Sequence, residues 1–484
     1  MKRSLALIFL CALLVSCGAE TKDNPNDSTE SLSDNLSAST DITDPNTVSD
    51  LPDTDLGGYT FRIAAQDPTQ ISWSMNTFYV EQENGEILND AIYRRNHSAM
   101  EVYNFNIAET ITTDDPSTYI AKTVMANEDE YDAVLMRLDF ASSVNTGTLY
   151  NLLELPNLNT EKLYWDQSFI RDTTLMGNLF NITGDILVSD DESTMVLTYN
   201  RPMAEDFSIE NLYDVVRSGN WTVDKMLSCM KLVNEDIDNN GVWDTNDQYG
   251  LMFANNAAAA PYFGAFGEYL YQMDEKTGVP VFTGGSERAH TAFEKMNEIL
   301  SDTTLAYDWS KISENTAAKL ANMLNNKQVL FQSMVLSMVR RNYRDVELDF
   351  GILPLPKLDE SQKEYSTIVN LATPFISVPV TVSAPDTVGF ILEALAAASG
   401  EITETYYSAC MESKYTRDTE SYEMINLARQ NLTYDMGFVY AWGGLSSKIT
   451  GEIIVPNGNY ASLLAQMQSA ADTAMHKFVD ELNG

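Results

Sequence analysis

The amino-acid sequence predicts an α/β protein, because strand-like and helix-like segments alternate along the first ordered part of the chain. Apolar residues with a two-residue period mark strands that begin at residues 59 and 105, and a short apolar run marks a third strand at 132–136. Helical patterns lie between these strands at 89–103, with Asn89 or Asp90 as the N-cap, and at 117–125. Strands that alternate with helices are typical of parallel α/β layers.

Helical periodicity predominates after about residue 200. The last helix is the clearest, since apolar residues recur at three- and four-residue steps from Leu464 to Leu482. Two strand-like returns interrupt this half, one at 329–335 followed by 350–354 and the other at 375–380. The remaining predicted helices are 222–234, 286–301, 314–325, 386–399, 401–413 and 419–430.

The N-terminus has the pattern of a secretory signal. Lys2 and Arg3 precede an apolar run, and the sequence Leu-Val-Ser-Cys that ends at Cys17 resembles the lipobox of bacterial lipoproteins. This resemblance implies a signal peptide at 1–16 and diacylation of Cys17, whereas the alternative is an ordinary signal peptide that contains a cysteine. Residues 17–57 carry Asp, Ser, Thr, Asn and Pro with few apolar residues, which predicts a flexible linker to the membrane.

Charge and cysteine content limit the possible partners. Seventy acidic residues against thirty basic ones give a net charge of −40, and no basic run occurs, so nucleic acid is not an expected partner. No second apolar segment reaches the roughly 18 residues that a membrane span needs, so the lipid would be the sole anchor. Cys229 and Cys410 remain after the signal and the lipid site, either as a disulfide or as two buried thiols.

The sharpest local motif fits the twelve-residue calcium loop of EF-hands position by position. Calcium needs several converging oxygen ligands, and alternate residues of such a loop point inward to supply them. Gly241 makes the turn at position 6, and the last position holds an aspartate where the EF-hand usually has glutamate. The predicted ligands of a structural Ca²⁺ are Asp236, Asp238, Asn240, Val242 (carbonyl), Asp244 and Asp247. The alternative is a solvated Asp/Asn turn.

Catalytic motifs are nearly absent, so an enzyme is not predicted. The histidines, at 97, 290 and 476, are far apart and lack partners at ligand spacing. The segment 284–286 (GGS) lacks the lysine and serine or threonine of a phosphate loop. With seventy carboxylates, a glycoside hydrolase remains the enzyme alternative, although no Asp/Glu pair is marked by its context.

Several aromatic residues lie beside small or polar residues in predicted loops. Exposed rings in such positions suit stacking on the apolar face of a sugar, whereas ordinary core packing is the alternative for each of them. These residues are Trp73, Tyr79, Trp165, Tyr262, Phe263, Phe266 and Trp442.

Six segments in order resemble the extracellular solute-binding proteins of bacterial ABC importers, in particular family 1, the maltose-binding-protein-like group. The order and spacing of the segments carry the resemblance, which covers about residue 58 to the end. The segments are 85–96 (GEILNDAIYRRN), 131–134 (YDAV), 197–201 (LTYNR), 220–222 (NWT), 351–357 (GILPLPK) and 414–418 (KYTRD).

The resemblance implies a two-lobe, periplasmic-binding-protein-like fold with a hinge and a ligand cleft between the lobes. We expect lobe 1 at 58–168 plus 328–376 and lobe 2 at 169–327 plus 377–484. Some members of the family carry a calcium loop on lobe 2, where 236–247 falls. The cleft residues that it suggests are Trp73, Tyr79, Arg137, Asp139, Asp190, Asp191, Asn255, Asn256, Tyr262, Phe266, Trp442 and Gly443.

The implied function is capture of a solute, with aromatic content favouring a sugar or oligosaccharide, and its delivery to the permease subunits of an ABC transporter. The protein would be a monomer anchored by lipid on the outer face of the bacterial cell membrane. The two alternatives are a tethered glycoside hydrolase and a ligand-sensing module that serves a membrane receptor.

Overall fold

The computed structural model describes residues 49–70, 77–143, 147–254, 259–313, 316–343, 348–408 and 418–483. Among these residues, no helix is both long and apolar enough to cross a membrane. The strands are β1 (Tyr59–Gln66), β2 (Phe105–Thr112), β3 (Ala133–Arg137), β4 (Met195–Asn200), β5 (Tyr249–Phe253), β6 (Tyr271–Met273), β7 (Pro280–Phe282), β8 (Ala306–Asp308), β9 (Val329–Val335), β10 (Phe350–Leu353), β11 (Thr367–Ile368), β12 (Pro374–Ser377) and β13 (Leu432–Thr433).

The helices confirm most of the predicted periodic segments, with ends that differ by a few residues. Short 3₁₀ turns lie at Leu138–Ser143, Leu152–Glu154, Trp309–Lys311 and Trp442–Gly444. The α-helices are α1 (Ile87–Tyr103), α2 (Ser117–Met125), α3 (Gln167–Thr173), α4 (Ser189–Glu192), α5 (Arg201–Asp206), α6 (Leu212–Arg217), α7 (Val223–Val233), α8 (Ala260–Ala265), α9 (Glu287–Leu300), α10 (Thr316–Asn325), α11 (Leu336–Asn342), α12 (Pro385–Ala397), α13 (Gly400–Glu404), α14 (Thr419–Arg429), α15 (Met436–Val439), α16 (Leu445–Glu452) and α17 (Tyr460–Asn483).

The predicted N-cap of α1 is wrong. Glu86 is the N-cap, and its carboxylate accepts the Asn89 N–H at 2.8 Å. Asp90 instead stabilises the preceding turn, where its carboxylate accepts the N–H groups of Asn84 and Gly85. The longer Glu86 side chain therefore takes the capping position that Ser, Thr, Asp or Asn usually occupies. The predicted helix at 401–413 begins as Gly400–Glu404 and continues as a π-helical turn at 405–408, and residues 409–417 lie outside the described residues.

Two mixed sheets form the centres of the two lobes. The first sheet has the order β12-β3-β1-β2, with β1 parallel to both of its neighbours and β12 antiparallel to β3. The second sheet has the order β10-β4-β9-β5-β8, in which β5 is parallel to both β9 and β8. The parallel layers that the sequence predicts are therefore present, with one antiparallel strand added to the first sheet and two antiparallel pairings in the second.

The strand pairing corrects the predicted lobe boundaries. The sequence assigned 328–376 to lobe 1, but β9 and β10 both pair in the second sheet, and only β12 joins the first. All seven residues of β9 are buried, as expected of a strand flanked on both sides by β4 and β5. Similarly, α12 was assigned to lobe 2, but Phe390 packs edge-on against Tyr103 of α1 in lobe 1.

The folded part begins before the predicted end of the linker at residue 57. Asp50 pairs with the buried amine of Lys162 at 2.7 Å, and the Leu56 N–H donates to the Tyr103 carbonyl at 2.8 Å. Gly58 donates in the same way to Asn104. Residues 49–57 therefore belong to the structure of lobe 1, although their composition resembles that of a linker.

Two chain segments that we call the first crossing (187–194) and the second crossing (369–373) connect the lobes side by side. Thr194 forms an antiparallel bridge with Val369, and the Asn370 N–H donates to the Ser193 carbonyl at 2.9 Å. The Ser189 hydroxyl also donates to the Pro374 carbonyl. The described residues 398–408 and 418 lie along the chain between α12 and α14, and residues 409–417 lie outside the described residues.

Candidate functional site

A cavity of about 480 Å³ lies between the two lobes, against the second crossing. Lobe 1 contributes the carboxyl end of β3, where ligands commonly bind in open α/β sheets. Lobe 2 contributes the N-terminus of β4, α8 and the segment that leads from α15 into α16. The lining residues are Arg137, Asp139, Met195, Ala260, Pro261, Ile368, Asn370, Leu371, Ala372, Phe438, Val439, Ala441, Ser446, Ser447 and Thr450.

Arg137 and Asp139 form the charged part of the cavity wall. The Arg137 Nε lies 3.0 Å from Asp139 Oδ1 and its Nη2 lies 2.5 Å from Oδ2, so the pair is bidentate. The guanidinium also lies over the Phe140 ring, 4.7 Å from its centroid. Burial raises the pKa of the Asp139 carboxyl, and the hydrogen bond from Arg137 opposes this shift.

The backbone holds this pair in place from both sides. The Asp139 N–H donates to the Leu371 carbonyl of the second crossing at 2.8 Å. The Arg137 N–H donates to the buried Asp115 carboxylate at 3.1 Å. These bonds tie the strand end to the crossing and fix the backbone from which the two charged side chains project.

The wall from lobe 2 depends on a glycine turn between α15 and α16. Gly443 and Gly444 have φ values of 59° and 74°, in the left-handed region that favours glycine. A Cβ on Gly443 would lie 2.6 Å from the Ala471 nitrogen of α17, so no larger residue fits there. This turn places the start of α16, with Ser446 and Ser447, at the cavity.

A buried carboxylate fixes α15, which presents Phe438 and Val439 to the cavity. Asp435 caps α15 by accepting the Gly437 N–H at 2.7 Å, and it also accepts the Leu270 N–H at 2.6 Å. The Tyr271 N–H is a third donor, at 3.3 Å. Burial raises the pKa of Asp435 to about 7, although these donors oppose the shift.

The predicted cleft residues divide into several groups. Arg137 and Asp139 line the cavity, and their contact with a ligand stays a prediction. Tyr79 is half-buried, beside Phe78, whose carbonyl accepts hydrogen bonds from Arg95 and Asn96. Neither Tyr79 nor Gly443 is a lining residue of the cavity. Three predicted residues lie outside the described residues: Trp73, Asn255 and Asn256.

Five of the seven aromatic residues predicted to stack on a sugar are core residues instead: Trp165, Tyr262, Phe263, Phe266 and Trp442. Tyr262 and Phe266 have 0% and 1% of their surface exposed, and neither lines the cavity. Trp442 is 5% exposed and packs between Tyr271 and Tyr440. A ring enclosed on both faces offers no surface to a ligand, so the stacking prediction is wrong for these residues in this structure. Their neighbours Pro261 and Ala441 reach the cavity in their place.

Asp190 and Asp191 lie on the first crossing and not in the cavity. The Tyr407 hydroxyl donates to Asp191 Oδ1 at 2.5 Å, and the Arg429 guanidinium lies 3.9 Å from the same oxygen. Arg429 also stacks on the Tyr407 ring at 3.6 Å. Burial raises the pKa of Asp191 to about 6 and that of Asp190 well above its ordinary value. The predicted role as ligand contacts is therefore replaced by contacts that connect the first crossing to α14.

The calcium-loop motif folds with the turn that its sequence predicts. Carboxylate oxygens of Asp236, Asp238 and Asp247 lie within 4.8 Å of one another. Asp236 accepts the Gly241 N–H at 2.9 Å, and Gly241 has a φ of 75°. Asp244 instead binds the backbone and side chain of its neighbour Asn246. The motif joins α7 to β5, so a strand stands where an EF-hand has its downstream helix.

The remaining predicted ligands of the loop are peripheral. The Asn240 side chain donates to Asp238 and accepts the Val242 N–H. Val242 is 60% exposed. Cys229 lies on α7 as a buried free thiol, and burial raises its pKa, whereas Cys410 lies outside the described residues.

Sequence reasoning missed most of the polar residues on the wall from lobe 2. Ser446, Ser447 and Thr450 face the cavity from one side of α16, and Asn370 faces it from the second crossing. The Gly443-Gly444 pair was the available signal, because two adjacent glycines after an aromatic residue indicate a tight turn. The residues that follow this turn, Ser446 and Ser447, line the cavity.

No protein-family model matches the chain, and no curated protein sequence matches it. Solved structures do match over most of its length. The galacto-N-biose/lacto-N-biose I-binding protein of the ABC transporter from Bifidobacterium longum is 11% identical, covers 88% of this chain and 98% of its own, and has a TM-score of 0.58. UspC from M. tuberculosis is 14% identical, with 86% and 100% covered and a TM-score of 0.54. A solute-binding protein from Thermotoga lettingae bound to α-D-tagatose is 13% identical, with 88% and 100% covered and a TM-score of 0.51.

These similarities establish the fold. The chain has the two-lobe, periplasmic-binding-protein-like fold of the ABC-transporter sugar-binding proteins, as its sequence predicted. Identities of 11–14% carry the comparison no further than the fold.

Proposed function

We propose that this chain is a family 1 solute-binding protein that captures a sugar or oligosaccharide between its lobes and delivers it to an ABC permease. The observation that carries the proposal is the interlobe cavity of about 480 Å³. Its wall combines apolar surface from Phe438 and Pro261 with hydrogen-bonding groups from Asp139 and Ser447. A sugar presents the same combination of apolar ring faces and hydroxyl groups.

The crossings support capture by closure of the lobes. The first and second crossings run side by side and are joined at Thr194 and Val369. Paired segments of this kind are suitable hinges, because small changes in a few backbone angles rotate one lobe against the other. A ligand that contacts both walls of the cavity stabilises the closed state relative to the open state. This difference in affinity between the two states is sufficient for capture of the solute.

The cavity favours binding over hydrolysis. Glycoside hydrolases use two carboxyl groups that face the bond to be cleaved. Of the cavity-lining residues that the structure describes, Asp139 is the one carboxylate, and it is held by Arg137. A binding protein needs no such pair.

A thermal-shift screen of residues 18–484 tests the proposal. The panel contains glucose, galactose, cellobiose, α-1,4-galactobiose, raffinose, maltotriose, lacto-N-biose and tagatose, in buffer with calcium. A sugar at about 100 times its dissociation constant adds about 2.7 kcal/mol of stability. We expect at least one sugar to raise the melting temperature and to be recovered unchanged. The absence of a shift with every sugar, or release of a hydrolysis product, would contradict the proposal.

We further propose that the loop at 236–247 binds a structural Ca²⁺. Asp247 is fully buried, and its oxygens accept the N–H groups of Ile237 and Asp244. No described lysine or arginine forms an ion pair with Asp236, Asp238 or Asp247. A buried carboxylate without a cation is costly, so these residues fit an ion that takes oxygen ligands. The ion would hold the junction of α7 and β5, away from the interlobe cavity.

Membrane attachment through a lipid on Cys17 and a monomeric state complete the proposal. Both come from the resemblance of the sequence to lipoprotein precursors and to solute-binding proteins. In a bacterial host, Cys17→Ser should move the protein from the membrane fraction to the soluble fraction. Light scattering of residues 18–484 should give the mass of a single chain.

A further inference from the structure

The Arg137–Asp139 pair gives the cavity a charged wall that has no net charge. The two side chains neutralise each other through the bidentate contact, and both remain partly exposed, at 22% and 35%. Of the other described lining residues, none carries a charge. Any ligand that reaches this wall therefore meets a cation and an anion side by side.

A hydroxyl group is well suited to such a pair. It donates its hydrogen to a free lone pair of the carboxylate, and its oxygen accepts from a free guanidinium N–H. A ligand carboxylate would instead lie beside the carboxylate of Asp139, where partial exclusion of water strengthens the repulsion. A ligand ammonium would meet the same difficulty at Arg137.

Several contacts hold the Arg137–Asp139 pair at the cavity wall. The Asp139 backbone is tied to Leu371 and the Arg137 backbone to Asp115, so either charge leaves the pair only by rotation of its own side chain, which breaks the bidentate contact. The Arg137 guanidinium also lies over the Phe140 ring. To bind an acidic ligand, Arg137 would have to exchange its Asp139 partner for the ligand.

We propose that the Arg137–Asp139 pair is a charge filter that makes the cavity selective for neutral sugars over acidic sugars of the same size. The inference rests on the proposed function, since it names which sugars the interlobe cavity accepts. It makes Asp139 a specificity-determining residue: its carboxylate both binds the neutral sugar and excludes the acidic one.

Calorimetric titration with matched pairs of sugars tests the filter. The pairs are glucose and glucuronate, galactose and galacturonate, and α-1,4-galactobiose and digalacturonate, each differing at carbon 6. Wild-type protein should bind the neutral member of a pair at least about 100-fold more tightly. Asp139→Asn removes the negative charge and leaves Arg137 without its counter-ion. The variant should lose about 10- to 100-fold in affinity for the neutral sugar and gain at least about tenfold for the acidic one.

Two further variants control for charge and folding. Glu423→Gln removes one negative charge from a bidentate pair with Arg217 that lies outside the cavity, and it should leave both affinities unchanged. The double variant Arg137→Gln with Asp139→Asn removes both charges, and it should lose the neutral sugar without gaining the acidic one. Melting curves of every variant establish that it is folded.

The outcomes separate the filter from the proposed function. Wild-type protein that binds an acidic sugar within tenfold of its neutral partner overturns the filter, and this comparison needs no variant. A folded Asp139→Asn protein that gains no affinity for the acidic sugar also overturns it. Wild-type protein that binds neither member of any pair, and none of the larger sugars, overturns sugar capture itself and the filter with it.

Discussion

Replacing the buried Asp435 with asparagine should change how the stability of lobe 2 depends on pH. Asp435 accepts three backbone N–H groups and fixes α15, which forms part of the cavity wall. No described lysine or arginine pairs with its carboxylate, and burial raises its pKa from 3.8 to about 7. The asparagine side chain carries no titratable proton, so the Asp435→Asn variant lacks this contribution at every pH.

The sign follows from proton binding in the two states. Between pH 3.8 and about 7, Asp435 is ionised in the unfolded chain and protonated in the folded one. The folded state therefore binds more protons, and the stability of wild-type protein falls as pH rises through this window. A difference of one pKa unit corresponds to about 1.4 kcal/mol, so wild-type protein should lose about 2 kcal/mol relative to the variant between pH 5.5 and 7.0.

Urea unfolding of both proteins at pH 5.5 and 7.0 measures this change. The difference between wild type and variant isolates Asp435, because Asp172, the other carboxylate that acts on it, is retained in both. We expect the unfolding free energy of the variant to improve relative to wild type as pH rises. Parallel pH profiles for the two proteins would refute the reasoning.

Two other predictions concern the calcium loop and the glycine turn. Saturating Ca²⁺ should add about 2.7 kcal/mol to wild-type stability at 100 times its dissociation constant, measured as a thermal shift. Asp236→Asn should abolish this thermal shift. Asp274→Asn, at another aspartate that accepts backbone N–H groups, should retain it. An equal shift in both variants would contradict calcium binding by the loop. Gly443→Ala should destabilise the protein more than Gly444→Ala, since both have positive φ but only the Cβ at 443 meets the backbone of α17. Gly444→Ala should lower the unfolding free energy by about 1–2 kcal/mol, from backbone conformation alone. Equal urea midpoints for the two variants would contradict a role for the close approach of Gly443 to α17.

Local patterns were sufficient to predict most elements and part of the site. The helix at 419–430 and the strand at 132–136 were predictable because the spacing of apolar residues and the residues that end an element depend only on the local sequence. The turn at Gly241 followed from the spacing of its aspartates. Arg137 and Asp139 were suggested by the resemblance to solute-binding proteins, and the structure places both on the cavity wall at the end of β3.

Long-range pairing and exposure were not predictable in the same way. The membership of β9 in the second sheet depends on β4, more than a hundred residues away, and nothing within β9 identifies that partner. Trp442 lies in a turn that looks exposed, but α17 and Tyr271 enclose its ring. Whether a ring is free to contact a ligand is decided by tertiary packing, which a loop-like sequence does not reveal.

Blocking the interlobe cavity is the most direct test of the account. Ser447 is an exposed residue of α16 at the cavity wall, so Ser447→Trp should fill the cavity without disturbing the core. Ser462→Trp, at an exposed position on α17 away from the cavity, is the matched control. In calorimetric titrations with the sugar that gives the largest thermal shift, wild type and Ser462→Trp should bind one sugar per chain, and Ser447→Trp should bind none. Undiminished binding by a folded Ser447→Trp protein would contradict capture in this cavity.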